Sequence, residues 1–414
     1  MAAATGAPTG LSARHKPAHG PVLLRGPNEA ELAASESLRT HMGRVAPLED
    51  AAGHEKRQRI LNRLGAMTRA WIKRTCLAKG VPEEAAEEAG GTVLISGSYR
   101  IGVHDPDGDI DAVIVVPRSV NHDDCFDGLG EELRALPEVT ELSLIRDARV
   151  PIIGLKFDGV DLDLLFVLLT RSSVPETLDI LDDEILVGLD DASVASINGP
   201  RVTDLIIKLV PDLENFKLCL RAVRHWAKKR GVYSNKIGFL GGVNFNIMVA
   251  FVCQLYPNLP PAALLLRFFT LYAQWRWPQP VMLCENYETS LGLPVWNPEK
   301  NHREKFQRMP IITPAYPASN SSFNVTNSTL KIMRDEFKRG GEVMARIMEQ
   351  PPDEMDWDEL FTPTDFFTRY DSYLQVDATA GTAEGLEEWA GWVESRLRRL
   401  VDTIEHQQIG RAHV

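Results

Sequence analysis

The stretch from Ser96 through Gly97 and Ser98 to Asp109 and Asp111 constrains this chain more than any other. It is flanked by two short apolar runs rich in Val and Ile, residues 92–96 and 110–117, which mark buried strands. Between them lie a glycine-bearing turn and two carboxylates at i and i+2, which leave a strand on the same face. Gly97 and Ser98 offer backbone N–H groups and a hydroxyl, the donors a phosphate needs. Asp109 and Asp111 can share a pair of cations through their oxygens. A donor-rich turn beside a double carboxylate suits metal-assisted nucleotidyl transfer. Taken alone, the same residues are equally readable as turn chemistry, since Asp105-Pro106-Asp107-Gly108 is an ordinary turn. A calcium loop of the EF-hand type is excluded, because the glycine is displaced and Val116 stands where the bidentate Glu belongs.

A third carboxylate follows. Asp158-Gly159 separates two β-rich runs within residues 151–169 and predicts a tight hairpin. On the returning strand Asp161 and Asp163 leave one face, Leu162 and Leu164 the other. That strand could lie beside the one bearing Asp109 and Asp111.

From residue 203 the pattern turns helical. Residues 215–230 place Phe216, Leu220, Val223 and Ala227 on one stripe, with Gly231 as a stop. Lys217, Arg221, Arg224 and Lys228 line up on another. Such a stripe can be no more than a solvated face. Yet the chain's net charge is −12, while residues 217–236 hold seven basic side chains and no acidic one. That contrast favours contact with a polyanion, made locally because no bulk positive field exists.

The remaining pattern sets the outline. At 414 residues the chain has room for two or three domains. Five dispersed cysteines without a C-x-x-C argue against a disulfide framework or a zinc module. No apolar stretch is long enough for a membrane span, so no membrane partner is expected. Residues 1–20 read as a disordered tail. Asn28 reads as the N-cap of a helix, and residues 53–79 as a second helix ended by Gly80. Helix-like residues 123–136 precede a strand at 139–144. Helices are expected at 239–255, 262–275 and 330–349, with a loop-rich span at 294–327. After Pro351-Pro352 come a strand at 372–377, a helix at 382–405 and a short strand at 409–414.

Several longer motifs then converge. Asn198-Gly199-Pro200-Arg201, the run from Arg224 to Asn235, the run from Gly238 to Gly242 and Val243, and the run from Met309 to Pro317 resemble the eukaryotic, nuclear-type poly(A) polymerases. These belong to the DNA polymerase beta-like nucleotidyltransferase superfamily, and the likeness runs from about residue 20 to the final residue. It implies a multidomain α+β fold: a mixed-sheet nucleotidyltransferase domain over 21–200, a helical middle domain over 201–350 and a partial RRM-like RNA-binding domain over 351–414. The implied activity is template-independent addition of AMP from ATP to RNA 3′ ends, with pyrophosphate release, in nuclear mRNA polyadenylation. By this likeness Asp109, Asp111 and Asp163 hold two divalent ions, Mg²⁺ or Mn²⁺, with Asp163 nearest the RNA 3′-hydroxyl. Gly97 and Ser98 would hold the triphosphate. Asn198, Arg224, Lys228, Tyr233, Asn235, Gly242, Val243 and Met309 fall at or near family positions around the nucleotide. Residue by residue, Val243 and Met309 remain readable as core, and Asn198-Gly199 as a plain turn. Cleavage and polyadenylation factors are the implied partners.

Three departures accompany the likeness. Arg224 stands where the family usually has Lys, exchanging a compact ammonium for a planar fork. Gly154 stands where the family favours Lys. Lys156, two residues along the same strand face, is expected to supply the missing charge in nucleotide binding. Beyond the motif resembling Arg411-Ala412-His413-Val414 the family's RNA-binding domain continues, and residues for only about half of it are present. A half-built sheet predicts weak RNA affinity and short, distributive tails. Two other readings stay open: a terminal uridylyltransferase or related RNA nucleotidyltransferase, and a catalytically silent RNA-binding subunit. Retention of three mutually repelling aspartates argues against the second.

Overall fold

The computed structural model describes residues 14–406. The first 13 residues of the expected tail and the expected strand at 409–414 lie outside the described residues. Of the stretch read as a tail, Lys16 to Ala18 instead run along residues 283–285: the Glu285 N–H donates to the Lys16 carbonyl at 2.9 Å, and Pro17 pairs antiparallel with Cys284.

The first helix, α1 (Glu29–Val45), starts where Asn28 predicts. Asn28 Oδ1 accepts from the Glu31 N–H at 2.8 Å, and the Glu31 carboxylate accepts from the Asn28 N–H at 3.0 Å. A short turn capped by Asp50 leads into the long α2 (Ala51–Ala78), and α3 (Glu83–Glu88) follows. The chain then lays down β1 (Thr92–Ile95), the one-turn helix α4 (Gly97–Ile101) and β2 (Ile110–Val116). The helix expected at 123–136 forms as a wide π-helical stretch at Asp124–Leu129 that passes directly into α5 (Gly130–Arg134). Three more strands complete the sheet: β3 (Val139–Ile145), β4 (Ile152–Phe157) and β5 (Val160–Leu168).

The strand order is β1-β2-β5-β4-β3. β2 and β5 run parallel at the centre and every other pairing is antiparallel. The hairpin forms as predicted: Asp158 at φ 49° and Gly159 at φ 76° supply the two left-handed positions its turn requires. Alternation along the central strands builds two layers. Ile110, Ala112, Ile114 and Val116 face Leu64, Trp71 and Ile72 of α2. Val113, Val115 and Val167 face Ile197 and the loop carrying Ile180 and Ile185.

Beyond the sheet come α6 (Asp191–Leu209), α7 (Leu213–Lys229), α8 (Gly242–Leu255), α9 (Pro261–Gln274) and α10 (Asn327–Glu349). The apolar stripe of α7 is buried as expected, and α8 is apolar all round because it lies at the centre of the helical core. Trp226, fully buried, meets Phe269 edge-on at 4.8 Å and stacks on Phe337 at 5.7 Å. Each large side chain buried here contributes roughly 2–3 kcal/mol. α1 belongs to this core through Ala34, Leu38 and Met42, and α6 reaches both layers. All five cysteines are buried and free. No described helix is long and apolar enough to cross a membrane.

Three more helices close the chain: α11 (Trp357–Phe361), α12 (Phe366–Arg369) and α13 (Ala383–His406). The helix expected at 382–405 is there. The strand expected at 372–377 is not: Leu374 is 69% exposed, and the segment has no ladder partner among the described residues. A β-rich run does not make a strand when no edge lies alongside to take its hydrogen bonds.

Candidate active site

The parallel pairing of β2 and β5 sets Asp111 directly opposite Asp163, and Asp109 precedes the first residue of β2. One carboxylate oxygen from each of the three lies within 4.8 Å of the others. Backbone ladders hold these like charges together, whereas flexible side chains on a loop would part. Burial raises the Asp111 carboxyl from 3.8 to about 6, and the charges of Asp109 and Asp163 push the same way, against Arg224. Burial and then Asp109 and Asp161 likewise raise Asp163. Among the described residues no Lys or Arg forms an ion pair with any of the three. An all-oxygen donor set with uncompensated charge fits hard divalent cations such as Mg²⁺ or Mn²⁺.

The glycine turn is locked onto this cluster. The Ser96 N–H donates to the Asp111 carbonyl at 3.0 Å. Gly97 sits at φ +64°, and a Cβ there would collide with Asp111 Oδ2, so both the backbone and the close approach require glycine. Its N–H donates to Thr203 Oγ1 of α6 at 3.3 Å. Ser98, half-buried, follows in α4. Asn198 and Gly199 are not a turn but lie within α6. A Cβ on Gly199 would stand 3.4 Å from Ser96 Oγ, and the neighbouring Asn198 Oδ1 is buried without a hydrogen-bond partner. Such an orphaned acceptor beside a donor-rich turn is a place for a ligand hydroxyl or water.

The loop that delivers Asp109 is anchored by residues the sequence reading missed. Glu49 accepts from Arg57 Nε at 2.7 Å and pairs with His104 Nε2 at 3.0 Å, while Arg57 also donates to the Pro106 carbonyl at 2.9 Å. Arg57 is only 2% exposed. Burial acts to raise the Glu49 carboxyl, but its bonds to Arg57 and His104 outweigh this and hold it low. Tyr99 packs its ring edge-on to His104 at 4.8 Å. No local spacing signals this network, because Glu49 and His104 are far apart in the chain.

The cationic stripe of α7 faces the same loop. Arg224 donates to the Val103 carbonyl at 3.4 Å, and Lys228 pairs with Asp105. The Lys228 ammonium also stands 5.7 Å from the centre of the Tyr233 ring, which stacks on Phe245. Gly242 leaves room for the Tyr233 hydroxyl, 3.1 Å from where a Cβ would stand. Asn235 donates to the Ser321 carbonyl at 3.1 Å and accepts from Asn324 at 2.8 Å. Val243 is half-buried against the helical core at this corner. Met309 is fully buried in that core. Gly154 pairs with Asp163, and a Cβ there would lie 3.6 Å from Asp163 Oδ1. Lys156 shares that strand face one step away, held by Glu141 at 3.1 Å and Asp161 at 3.6 Å.

Three domain families match the chain in order: "Poly(A) polymerase nucleotidyltransferase domain" over 19–210, "Poly(A) polymerase central domain" over 215–363 and "Poly(A) polymerase predicted RNA binding domain" over 365–414. In three dimensions the chain is similar to the Cid1 poly(U) polymerase, with a TM-score of 0.55 over 80% of this chain and 98% of that one, at 17% identity. That likeness is one of fold. In sequence it is 46% identical to nuclear poly(A) polymerase 1 of Arabidopsis thaliana, over 93% of this chain and 54% of the relative. The chain spans about half the length of most curated relatives it matches. The poly(A) polymerase pla1 of Schizosaccharomyces pombe is 42% identical over 93% of this chain and 68% of its own length. With all three domain families in sequence and that relative matched along most of its length, the chain belongs to the poly(A) polymerase family.

Proposed function

We propose that this chain is a polynucleotide adenylyltransferase that extends RNA 3′ ends with AMP from ATP, without a template. The observation that carries this reading is the pairing of Asp111 with Asp163 across the parallel ladder, with Asp109 close enough to share cations. The RNA 3′-hydroxyl attacks the α-phosphorus. An O–P bond forms as the bond to pyrophosphate breaks, and the hydroxyl proton passes to Asp163. Asp163 suits that role because burial and neighbouring charge raise its affinity for a proton. Two divalent cations held by Asp109, Asp111 and Asp163 would activate the hydroxyl and neutralise the departing pyrophosphate.

The remaining contacts belong to the same reading. Gly97 and Ser98 cradle the triphosphate, and Arg224 and Lys228 bring positive charge to it from across the cleft. Tyr233, Asn235, Gly242 and Val243 form the base and ribose pocket, and Asn198 offers its free acceptor. Lys156 supplies the charge absent at Gly154. The three-way division near residues 200 and 350 is supported by the domain matches, which change at 210–215 and 363–365. The names of the Arabidopsis relatives support a nuclear location and a role in mRNA 3′-end formation.

Primer extension of oligo(A) with each triphosphate, in Mg²⁺ and in Mn²⁺, tests the reading. ATP consumption that Asp111→Asn abolishes supports it. Preferential use of UTP would make this a uridylyltransferase, the activity named for its structural neighbour. RNA binding without turnover of any triphosphate would leave a silent subunit.

A further inference from the structure

We propose that the middle domain carries a track for single-stranded RNA upstream of the 3′ end, in a groove outside the aspartate cluster. The inference takes its ligand class from the adenylyl-transfer reading, but its evidence is separate. Two cavities of about 410 and 490 Å³ each have Asn327 in their walls, and we take the two, on either side of that residue, as one groove. At one end Phe306 and Phe323 are 56% and 57% exposed and stand with Arg303 and Arg308. At the other, Lys331, Arg334 and Lys338 occupy one face of α10 at i, i+3 and i+7.

Two features separate this groove from an ordinary solvated face. Its cations are uncommitted: of the five, only Lys338 has an acid within ion-pair distance among the described residues, Glu342 at 3.9 Å. By contrast, Lys217 and Lys228 of α7 are both paired. The acids in the groove are Asp335, Asp402 and Glu405, and Glu405 already accepts from the Ser328 N–H and hydroxyl at 2.8 and 2.9 Å. Second, large rings are left in water beside those cations. Phe323 lies 6.0 Å under the Arg398 guanidinium with most of its surface open. Uncommitted cations bind phosphates, and exposed ring faces stack bases whatever the sequence. An acidic peptide would use the cations and leave the rings idle.

Position also favours RNA. Asn324, next to Phe323, donates to the Asn235 carbonyl at 3.1 Å and to its side chain at 2.8 Å. The wall of the groove and the wall of the proposed nucleotide pocket are therefore one polar tract, residues 319–327.

The test is fluorescence anisotropy of the full chain with oligo(A) of about 5 and about 20 nucleotides, lengths chosen to fall at the low end of and beyond a typical single-strand site. The variants are Arg303→Glu/Arg308→Glu, Lys331→Glu/Arg334→Glu and Phe323→Ala. All change exposed side chains, and melting temperature serves as the folding control. The expected result is at least tenfold weaker binding of the long oligomer by each charge-reversal pair, a smaller loss for Phe323→Ala, and unchanged binding and extension of the short one. The slope of log affinity against log salt should fall by about 0.7 for each phosphate that is no longer neutralised. Equal losses at both lengths, or none at either, overturn the track; no loss for RNA but loss of a poly-glutamate probe assigns the groove to an acidic protein segment. If the parent chain adds no nucleotide yet binds the long oligomer through these residues, the adenylyl-transfer reading fails alone.

Discussion

The acidic mouth of the sheet and the cationic face of α7 stand across one cleft and are built on opposite principles. The three aspartates form no ion pair with Lys or Arg among the described residues, and burial plus mutual repulsion, against Arg224, raises Asp111 to about 6. The four cations of the α7 stripe are provided for: Lys217 by Glu214 at 2.8 Å, Arg221 by the Ala46 carbonyl at 2.5 Å, Arg224 by the Val103 carbonyl and Lys228 by Asp105. The acid cluster is therefore costly to the folded chain until cations arrive, whereas the basic face is comfortable and must exchange partners to bind. Cost held in a rigid ladder marks where chemistry depends on an outside ion. Satisfied side chains mark where a ligand competes.

The sharpest way to break this contrast is to neutralise one acid. Asp111→Asn keeps shape and removes charge. It should lower kcat at least about a thousandfold, roughly 4 kcal/mol of transition-state stabilisation. The metal-free melting temperature should hold or rise, because repulsion is relieved. Steady-state kinetics and calorimetry read the two effects, and a fall in both together would make Asp111 merely structural.

Gly97→Ala attacks the same cluster through the backbone. The new methyl meets Asp111 Oδ2 and the residue must hold φ +64°. A left-handed non-glycine residue costs about 1–2 kcal/mol before any clash. Activity should drop about 10–100-fold through displacement of the carboxylate, with melting temperature falling by several degrees. Wild-type kcat in this variant would mean that the turn and the cluster are independent.

A subtler test uses pH. A carboxyl whose folded value lies above its ordinary 3.8 binds its proton more tightly in the folded chain, so it favours folding at low pH. That contribution is present below about pH 4 and is lost as pH rises through about 6. Metal-free protein should therefore lose stability across that window more steeply than Asp111→Asn. Mg²⁺ or Mn²⁺ should restore it, raising the melting temperature more at about pH 7.5 than at about pH 5. An equal metal response at both values would remove the aspartates as its source.

Much of this was legible from local patterns. The faces bearing Asp109 with Asp111 and Asp161 with Asp163 were readable because strand alternation and an Asp-Gly turn are rules of two to four residues, while the choice of Asp163 came from the family resemblance. The parallel register that opposes Asp111 to Asp163 was not, since it depends on how α2 and α6 sandwich the sheet. The Glu49–Arg57–His104 anchor escaped for the same reason. Asn198-Gly199 read as a turn by residue type, but in α6 the helix supplies the geometry and Gly199 gives room for Ser96. Met309 carried a family position and the character of a core residue, and it is fully buried in the helical core. The strand expected at 372–377 has no described neighbour to pair with.

The smallest effects belong to the cations, and they sharpen the contrast most finely. Lys228 leans over Tyr233 and needs only to exchange Asp105 for a phosphate. Lys228→Ala should raise the KM for ATP about 5–10-fold with kcat nearly unchanged, the mark of uniform binding. Lys156 is held by Glu141 and Asp161, and its hydrogen bond to Glu141 is the main reason its affinity for a proton is raised. To stand in for a side chain at Gly154 it must leave both acids and reach toward Asp163's oxygen, where a Cβ on residue 154 would already lie at 3.6 Å. Lys156→Ala should therefore raise the KM for ATP by only about two- to threefold. Gly154→Lys, which puts an ammonium at the cluster directly, should lower it. If Lys156→Ala leaves the KM unchanged, Lys156 is only the outer partner of Glu141 and Asp161, and the charge absent at Gly154 is not replaced.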